Sequence, residues 1–389
     1  MKPYMHRNLQ IIFGITLMAV IGVALIAPAF PRMVGVFGVS KASIGLLIAA
    51  FTLPGVFLAP VIGVLADHYG RKKVLVPSLI LFGLAGGACA LTRDFGTLVL
   101  LRVFQGMGAS GLSSLATTLI GDLYEGRERA EAMGYNASVL SIGTASYPAI
   151  GGFLASIAWY YPFYIFFIAI PVGLVVLIFL ENPEPKHRPE MRGYLKDALE
   201  KVLNLKAAGA FAAGVLTFIV LYGAFVTFFP ILFAEEFYDD PKVIGLLMAA
   251  MSITTAAVSS QAGRISNKIS SATAIKIAFL FYGFALLIFP LVDTIWQFLI
   301  PILIFGIGHG LNIPALMTLV AGLAPMEQRG AVMSINATML RIGQTIGPPI
   351  AGLAFLTFGI SGVFYLIGVL AIGSSILASG IAMLRGSSN

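Results

Sequence analysis

The chain has 389 residues, 58% of them hydrophobic and only 11% charged, with a formal net charge of +7 and a mean hydropathy of +0.95. A soluble globular domain carries about a quarter of its residues as Asp, Glu, Lys and Arg, so a water-soluble fold is excluded and the bilayer is the solvent. No basic surface interleaved with aromatic residues is present, which excludes a nucleic-acid partner.

Twelve apolar stretches follow in chain order. The first six cover 9–31, 42–66, 74–92, 95–119, 131–156 and 162–180; the second six cover 208–234, 242–262, 273–292, 295–320, 331–357 and 361–384. Each suffices to cross roughly 30 Å of hydrocarbon, which takes about 20 helical residues. They are predicted to be helices, because backbone groups in lipid need partners within their own segment and the short alternating strands of a barrel are absent. The first stretch is too long for a cleavable signal and has Pro28 and Pro31 near its end, so it is read as a retained helix. Cys89 is the sole cysteine, which leaves no intrachain disulfide and no CxxC site.

One composition break interrupts the series. Between Glu181 and Lys206, Pro183, Pro185 and Pro189 stiffen the entry to a helical pattern with Leu195, Leu199, Val202 and Leu203 on one face. That helix either lies along the inner membrane surface or is a solvated linker. The predicted organisation is therefore a six-helix bundle at 1–181, a cytoplasmic linker at 182–206 and a second six-helix bundle at 207–389. Lys and Arg fix its orientation. With the N-terminus inside, only Arg32, Lys41, Arg93 and Lys242 fall outside, and Arg102 and Arg341 fall within membrane stretches. Both termini are expected to be cytoplasmic, in an inner membrane crossed many times.

The two bundles repeat one another. Ile44, Gly45, Leu46, Leu47, Ala49 and Ala50 recur two hundred positions later as Ile244, Gly245, Leu246, Leu247, Ala249 and Ala250. The register then holds through Gly106 and Gly306, Asn136 and Asn336, and Pro148 and Pro348. Transporters are the commonest use of such a duplicated membrane bundle.

The loop after the second stretch runs from Gly63 through Asp67, Gly70, Arg71, Lys72 and Lys73 to Leu75. The fourth stretch contains Leu101, Arg102, Gln105, Gly106 and Gly108, and the fifth contains Gly134, Gly143, Tyr147, Pro148, Gly151 and Gly152. These three patterns resemble those of the major facilitator superfamily, and the last two are similar to its drug-proton antiporters. Tyr147 departs from the fifth-helix pattern, which has Gly there. The resemblance implies an all-α integral membrane protein of twelve transmembrane helices in two pseudo-symmetric halves. It also implies that Gly63, Asp67, Gly70, Arg71 and Asp122 form a cytoplasmic latch, and that Gly143, Pro148, Gly151 and Gly152 shape the fifth helix.

A permanent cation inside hydrocarbon normally marks a functional site. By the resemblance Arg102 modulates protonation of a neighbouring carboxylate, yet all 17 acidic residues fall in loops or at helix ends. Its alternative role is to donate to backbone carbonyls. Either the proton falls to a boundary carboxylate such as Glu235, Glu236 or Asp122, or to His309, which titrates near neutrality in water, or transport is not proton-coupled in the usual manner. A lone membrane histidine such as His309 is more often a satisfied interhelical hydrogen-bonder than a proton carrier.

The halves act as mutual controls. Half two loses the latch charges, with Asn267 for Asp67, Ser270 for Gly70 and Gly322 for Asp122, and gains His309, Asn312, Arg341 and Gln344. Those gains are read as substrate contacts near the midplane, with Asn136 and Asn336 at matching depths. Gln105, Tyr147, Tyr222 and Phe225 complete the cavity candidates, although for either of the helix-7 aromatics, Tyr222 and Phe225, core or lipid-facing packing is the better reading.

The sequence therefore predicts a secondary active transporter working by alternating access, with proton-coupled efflux of amphiphilic neutral or anionic small molecules. The alternative is a metabolite carrier on the same scaffold. An integral-membrane enzyme would need a metal cluster or an activated nucleophile, which four scattered histidines do not supply, and a channel has no use for a one-sided latch. The expected partners are a small-molecule substrate, protons and lipid, with no metal, no cofactor and a monomeric state.

Overall fold

The computed structural model describes residues 3–181, 205–323 and 329–383, and no strand occurs among them. The predicted linker helix lies outside the described residues. Helices α1 (Arg7–Phe37), α2 (Leu46–Tyr69), α3 (Arg71–Ala88), α4 (Phe95–Leu123), α5 (Gly126–Ile157) and α6 (Tyr161–Phe179) make up the first half. The second half holds α7 (Ala207–Glu236), α8 (Pro241–Ser259), α9 (Ser271–Leu291) and α10 (Ile295–Ala321). Its last helical stretch, Arg329–Met383, is broken at Gly359, whose φ of 71° favours glycine, and so divides into α11 (329–358) and α12 (360–383).

The fold class is thus all-helical and multi-pass. Ten stretches of the described residues are long and apolar enough to cross a membrane on their own terms. That set joins α11 to α12 and leaves out α3, whose first three residues are Arg71, Lys72 and Lys73. Prolines lie inside α2, α3, α5, α10 and α11, as membrane helices tolerate when neighbours re-satisfy the freed backbone groups. In α1, Pro28 forces a 3-10 turn at Ala27–Ala29.

By their packing the helices form two compact units. The first consists of Met1–Val39, Leu46–Pro189 and Asp240–Gly245; the second of Ser40–Gly45, Glu190–Asp239 and Leu246–Asn389. They follow the two halves of the sequence apart from two exchanged segments of six residues, which themselves obey the repeat. In unit two a Cβ at Gly45 would meet Pro348, and in unit one a Cβ at Gly245 would meet the carbonyl of Pro148. Small residues let backbones approach this closely.

Unit one is held mainly by aliphatic packing, with the polar termini of its helices capped by cations. Arg32 donates to the carbonyls of Ala155 and Ser156 at 2.8 and 2.9 Å, and Lys72 to that of Leu180 at 3.1 Å. Such contacts satisfy the last carbonyls of α5 and α6. Arg93 lies over the rings of Trp159 and Tyr160 at 5.4 and 4.6 Å. The core of unit two is aromatic: Phe225 stacks on Phe229 at 5.3 Å and on Phe305 at 5.0 Å, and Phe289, Phe298 and Phe233 continue the cluster. Within α7, Val220–Phe228 is π-helical, and the hydroxyl of Thr227 closes back on the carbonyl of Tyr222 at 2.6 Å.

Candidate functional site

Three polar clusters stand out in otherwise apolar packing. The first lies where α2 turns into α3. Gly70 takes a φ of 97° at the turn, which puts Asp67 and Arg71 four residues apart across the corner. Arg71 ion-pairs with Asp67, and its Nε donates to Oδ2 of Asp122, at the end of α4, at 3.0 Å. Burial works against the Arg71 charge, but hydrogen bonds and charge from Asp67 and Asp122 outweigh it and hold its pKa above the ordinary value. A Cβ at Gly63 would meet nothing within 4 Å. In unit two Ser271 stands where Arg71 does in the repeat, and with Ser266, Pro314 and Thr318 it lines a cavity of about 190 Å³.

The second cluster surrounds Arg102 on α4, which is fully buried. Its Nε donates to the carbonyl of Leu47 at 3.1 Å, one terminal nitrogen to that of Gly22 at 2.9 Å and the other to Oε1 of Gln105 at 2.6 Å. The guanidinium also sits 4.3 Å from the centre of the Phe51 ring. This cation is therefore stitched to α1 and α2 by neutral oxygens and a π face, with no carboxylate among these partners. Gly106 makes the approach possible, because a Cβ there would overlap the carbonyl of Phe51. Gln105 reaches back beside Gly86 of α3, and its Nε2 has no partner.

On α5 of the same unit, Asn136 Oδ1 accepts from the hydroxyl of Thr16 at 2.7 Å, and the Tyr147 hydroxyl donates to the carbonyl of Leu17 at 3.2 Å. Gly143 and Gly151 face α1, while Gly152 faces Pro241 and Gly245 of the exchanged segment. Pro148 contributes its carbonyl opposite Gly245.

The third cluster is in unit two, where α7, α9 and α10 meet. The hydroxyl of Tyr282 lies 2.7 Å from Nδ1 of His309, and Nδ2 of Asn312 lies 2.7 Å from the Thr217 hydroxyl and 3.3 Å from that of Tyr282. Asn312 is fully buried, and its Oδ1 has no partner. Nearby, Asn336 turns its Nδ2 toward the sulfur of Met317 at 3.8 Å and leaves Oδ1 without a partner.

The other candidates are scattered more widely. Arg341 and Tyr222 are both half-buried and interact electrostatically, Gln344 is half-buried, and Phe225 belongs to the aromatic core at 2% exposure. Glu235, at the end of α7, is ion-paired with Lys41. Sequence reading did not single out Thr217, Tyr282, Thr16 or Lys41. Comparing position 82 with 282 and 17 with 217 would have found the first two, since each pair changes from apolar to polar.

A family profile described as Major Facilitator Superfamily matches residues 12–238 and 211–385. The chain belongs to that superfamily. It is a multi-pass membrane transporter, and not an enzyme. Among its relatives, the quinolone resistance protein NorA of Staphylococcus aureus (strain COL) is 26% identical over 354 residues, 90% of each chain. Multidrug resistance protein 2 of Bacillus subtilis (strain 168) is 25% identical over 348 residues, 87% of this chain and 86% of that one.

Solved structures show the same fold. A bacterial homolog of the human lysosomal transporter Spinster, inward-facing and unoccupied, superposes with a TM-score of 0.79 at 18% identity, covering 99% of this chain and 97% of the other. The nucleoside transporter NupG gives a TM-score of 0.82 at 12% identity, covering 97% of this superfamily member and all of NupG.

Proposed function

We propose that this transporter exports amphiphilic, drug-like small molecules by alternating access, driven by a proton gradient, with both termini in the cytoplasm. The observation that carries the reading is full-length similarity to NorA and to multidrug resistance protein 2, whose names record quinolone and multidrug resistance. Monomeric action is part of the same proposal.

The substrate is neutral overall, zwitterionic or anionic. Arg341 brings a cation into a membrane segment, where it attracts a carboxylate and repels a free ammonium far more strongly than it would in water. Of the coupling candidates, Arg102 is bonded to neutral oxygens and His309 to a tyrosine, whereas Glu235 is a carboxylate ion-paired with a lysine. Protonation of Glu235 would release Lys41, and we assign the coupling step to that pair. The test is flux of a fluorescent amphiphile into liposomes holding the purified protein under an imposed pH gradient. Saturable flux that collapses with the gradient is expected; gradient-independent or non-saturable flux refutes coupled export.

A further inference from the structure

The four side chains linked around His309 share a pattern in the repeat. Thr217, Tyr282, His309 and Asn312 stand two hundred positions after Leu17, Phe82, Ala109 and Leu112. Half one fills the same four places with apolar side chains, Phe82 and Leu112 fully buried among them, and folds without a polar side chain at any of them. The network is thus dispensable for the architecture. A fifth position changes in the opposite sense. Thr16, which donates to Asn136, gives way to Leu216, and the equivalent oxygen of Asn336 loses its donor.

The direction of each hydrogen bond follows from what each group can give. Thr217 donates its hydroxyl proton to the carbonyl of Ala213 at 2.7 Å, so its lone pair is left to accept from Nδ2 of Asn312. The second proton of that amide points to the Tyr282 oxygen, and Tyr282 gives its own proton to Nδ1 of His309. Flipping the amide would set Oδ1 of Asn312 against the lone pairs of Thr217. Reversing the tyrosine would leave its proton with no acceptor in the network. In this arrangement His309 accepts at Nδ1 and carries its ring proton on Nε2, and Asn312 Oδ1 is a buried acceptor without a partner.

A buried acceptor left without a partner inside such a network calls for a donor from elsewhere. The second open acceptor lies beside the same helix: Asn336 Oδ1 is 3.7 Å from where a Cβ of Gly214 would sit, three residues before Thr217 on α7. Both asparagine side chains thus pack against α7, Asn312 at Thr217 and Asn336 beside Gly214, about one helical turn apart.

We propose that Asn312 Oδ1 and Asn336 Oδ1 form a subsite for a two-proton donor on the transported molecule, a secondary ammonium within an overall neutral zwitterion, and that Thr217, Tyr282 and His309 position Asn312 for it. This rests on the export reading above. Carboxamide dipoles recognise the N–H bonds without demanding net positive charge, and a tertiary ammonium, with one proton, satisfies only one of the two oxygens. Both residues are sealed in this structure, at 0% and 1% exposure, so the donor enters when the helices around them part.

The experiment compares two quinolones that differ only at the distal piperazine nitrogen, secondary in one and N-methylated in the other. Their dissociation constants are measured on the purified full chain and their fluxes in liposomes. The secondary amine is expected to bind about tenfold tighter, the equivalent of one hydrogen bond, and this ratio is expected to fall to about one in Asn312→Leu. A combined variant, Thr217→Leu with Tyr282→Phe, His309→Ala and Asn312→Leu, copies half one, so it is expected to fold and to lose the preference as well. A ratio that persists in the variants overturns the subsite. Equal affinities with intact flux of both compounds overturn the subsite and leave export standing, whereas neither binding nor flux of either compound overturns both.

Discussion

Nε of Arg71 donates to Oδ2 of Asp122 at 3.0 Å while the same guanidinium holds Asp67, so the turn between α2 and α3 is tied to the C-terminal end of α4. Only 10% of the Arg71 side chain is exposed, against 34% and 28% for the two carboxylates. Arg71→Ala leaves two acids facing each other without a cation. Partial exposure limits the stability loss to about 1 kcal/mol. If the cluster works as a latch, flux falls far more than unfolding temperature in detergent, by about tenfold, and Arg71→Lys recovers only part because it lacks the planar fork. Unaltered flux in Arg71→Ala rules the latch out.

Gly106 and Gly63 form a matched pair for testing close packing. A Cβ at Gly106 would overlap the Phe51 backbone, whereas one at Gly63 would meet nothing within 4 Å. Gly106→Ala is expected to cost about 1–3 kcal/mol through forced separation of α2 and α4, and Gly63→Ala to leave thermal stability within about 0.5 kcal/mol of the parent. Equal melting temperatures for the two variants would contradict this packing.

Arg102 is predicted to be a positioning residue. Arg102→Ala strips donors from the carbonyls of Leu47 and Gly22 and from Gln105. Each orphaned buried acceptor costs about 1–3 kcal/mol, so the variant is expected to be recovered poorly from membranes. Arg102→Lys keeps the charge but not the three-way reach. It should show a lower melting temperature together with an unshifted pH profile of flux. A shifted profile at unchanged stability would instead make Arg102 part of proton coupling.

Glu235→Gln removes a titratable carboxylate and keeps the side chain's size. Flux under a pH gradient is expected to fall by about tenfold, while exchange of labelled substrate with no gradient continues. Lys41→Ala, which removes the partner of Glu235, is expected to lower gradient-driven flux without abolishing transport. Gradient-driven flux that survives Glu235→Gln would move the coupling step elsewhere.

Much of the fold was legible because lipid permits so few backbone solutions. Twelve apolar runs, the Gly70 turn and the register from Ile44 to Pro148 each reflect a constraint that acts locally in sequence. The polar clusters were legible only in part. Arg102 could be singled out by its cost in hydrocarbon, but two of its three acceptors are backbone carbonyls, which carry no residue signature. Phe225 read either as a cavity wall or as packing and lies in an aromatic core, since in a helix apolar nearly all round the sequence does not tell one face from another. Tyr282 and Thr217 escaped notice because a hydroxyl among apolar neighbours gains meaning only once its partner on another helix is known.

The π-helical run Val220–Phe228 lies between Thr217, within the hydrogen-bonded network, and Glu235, at the ion pair with Lys41. A wide turn of this kind accommodates an extra residue without breaking the rod, and each residue added to or taken from a helix swings everything beyond it by about 100°. Deleting one amino acid inside the run would restore ordinary winding and carry Glu235 to a different azimuth while Thr217 stayed put. The bearing of the Glu235 carboxylate relative to the buried amides is therefore set by winding within α7, and a shift of that bulge along the helix would re-aim the side chains it passes.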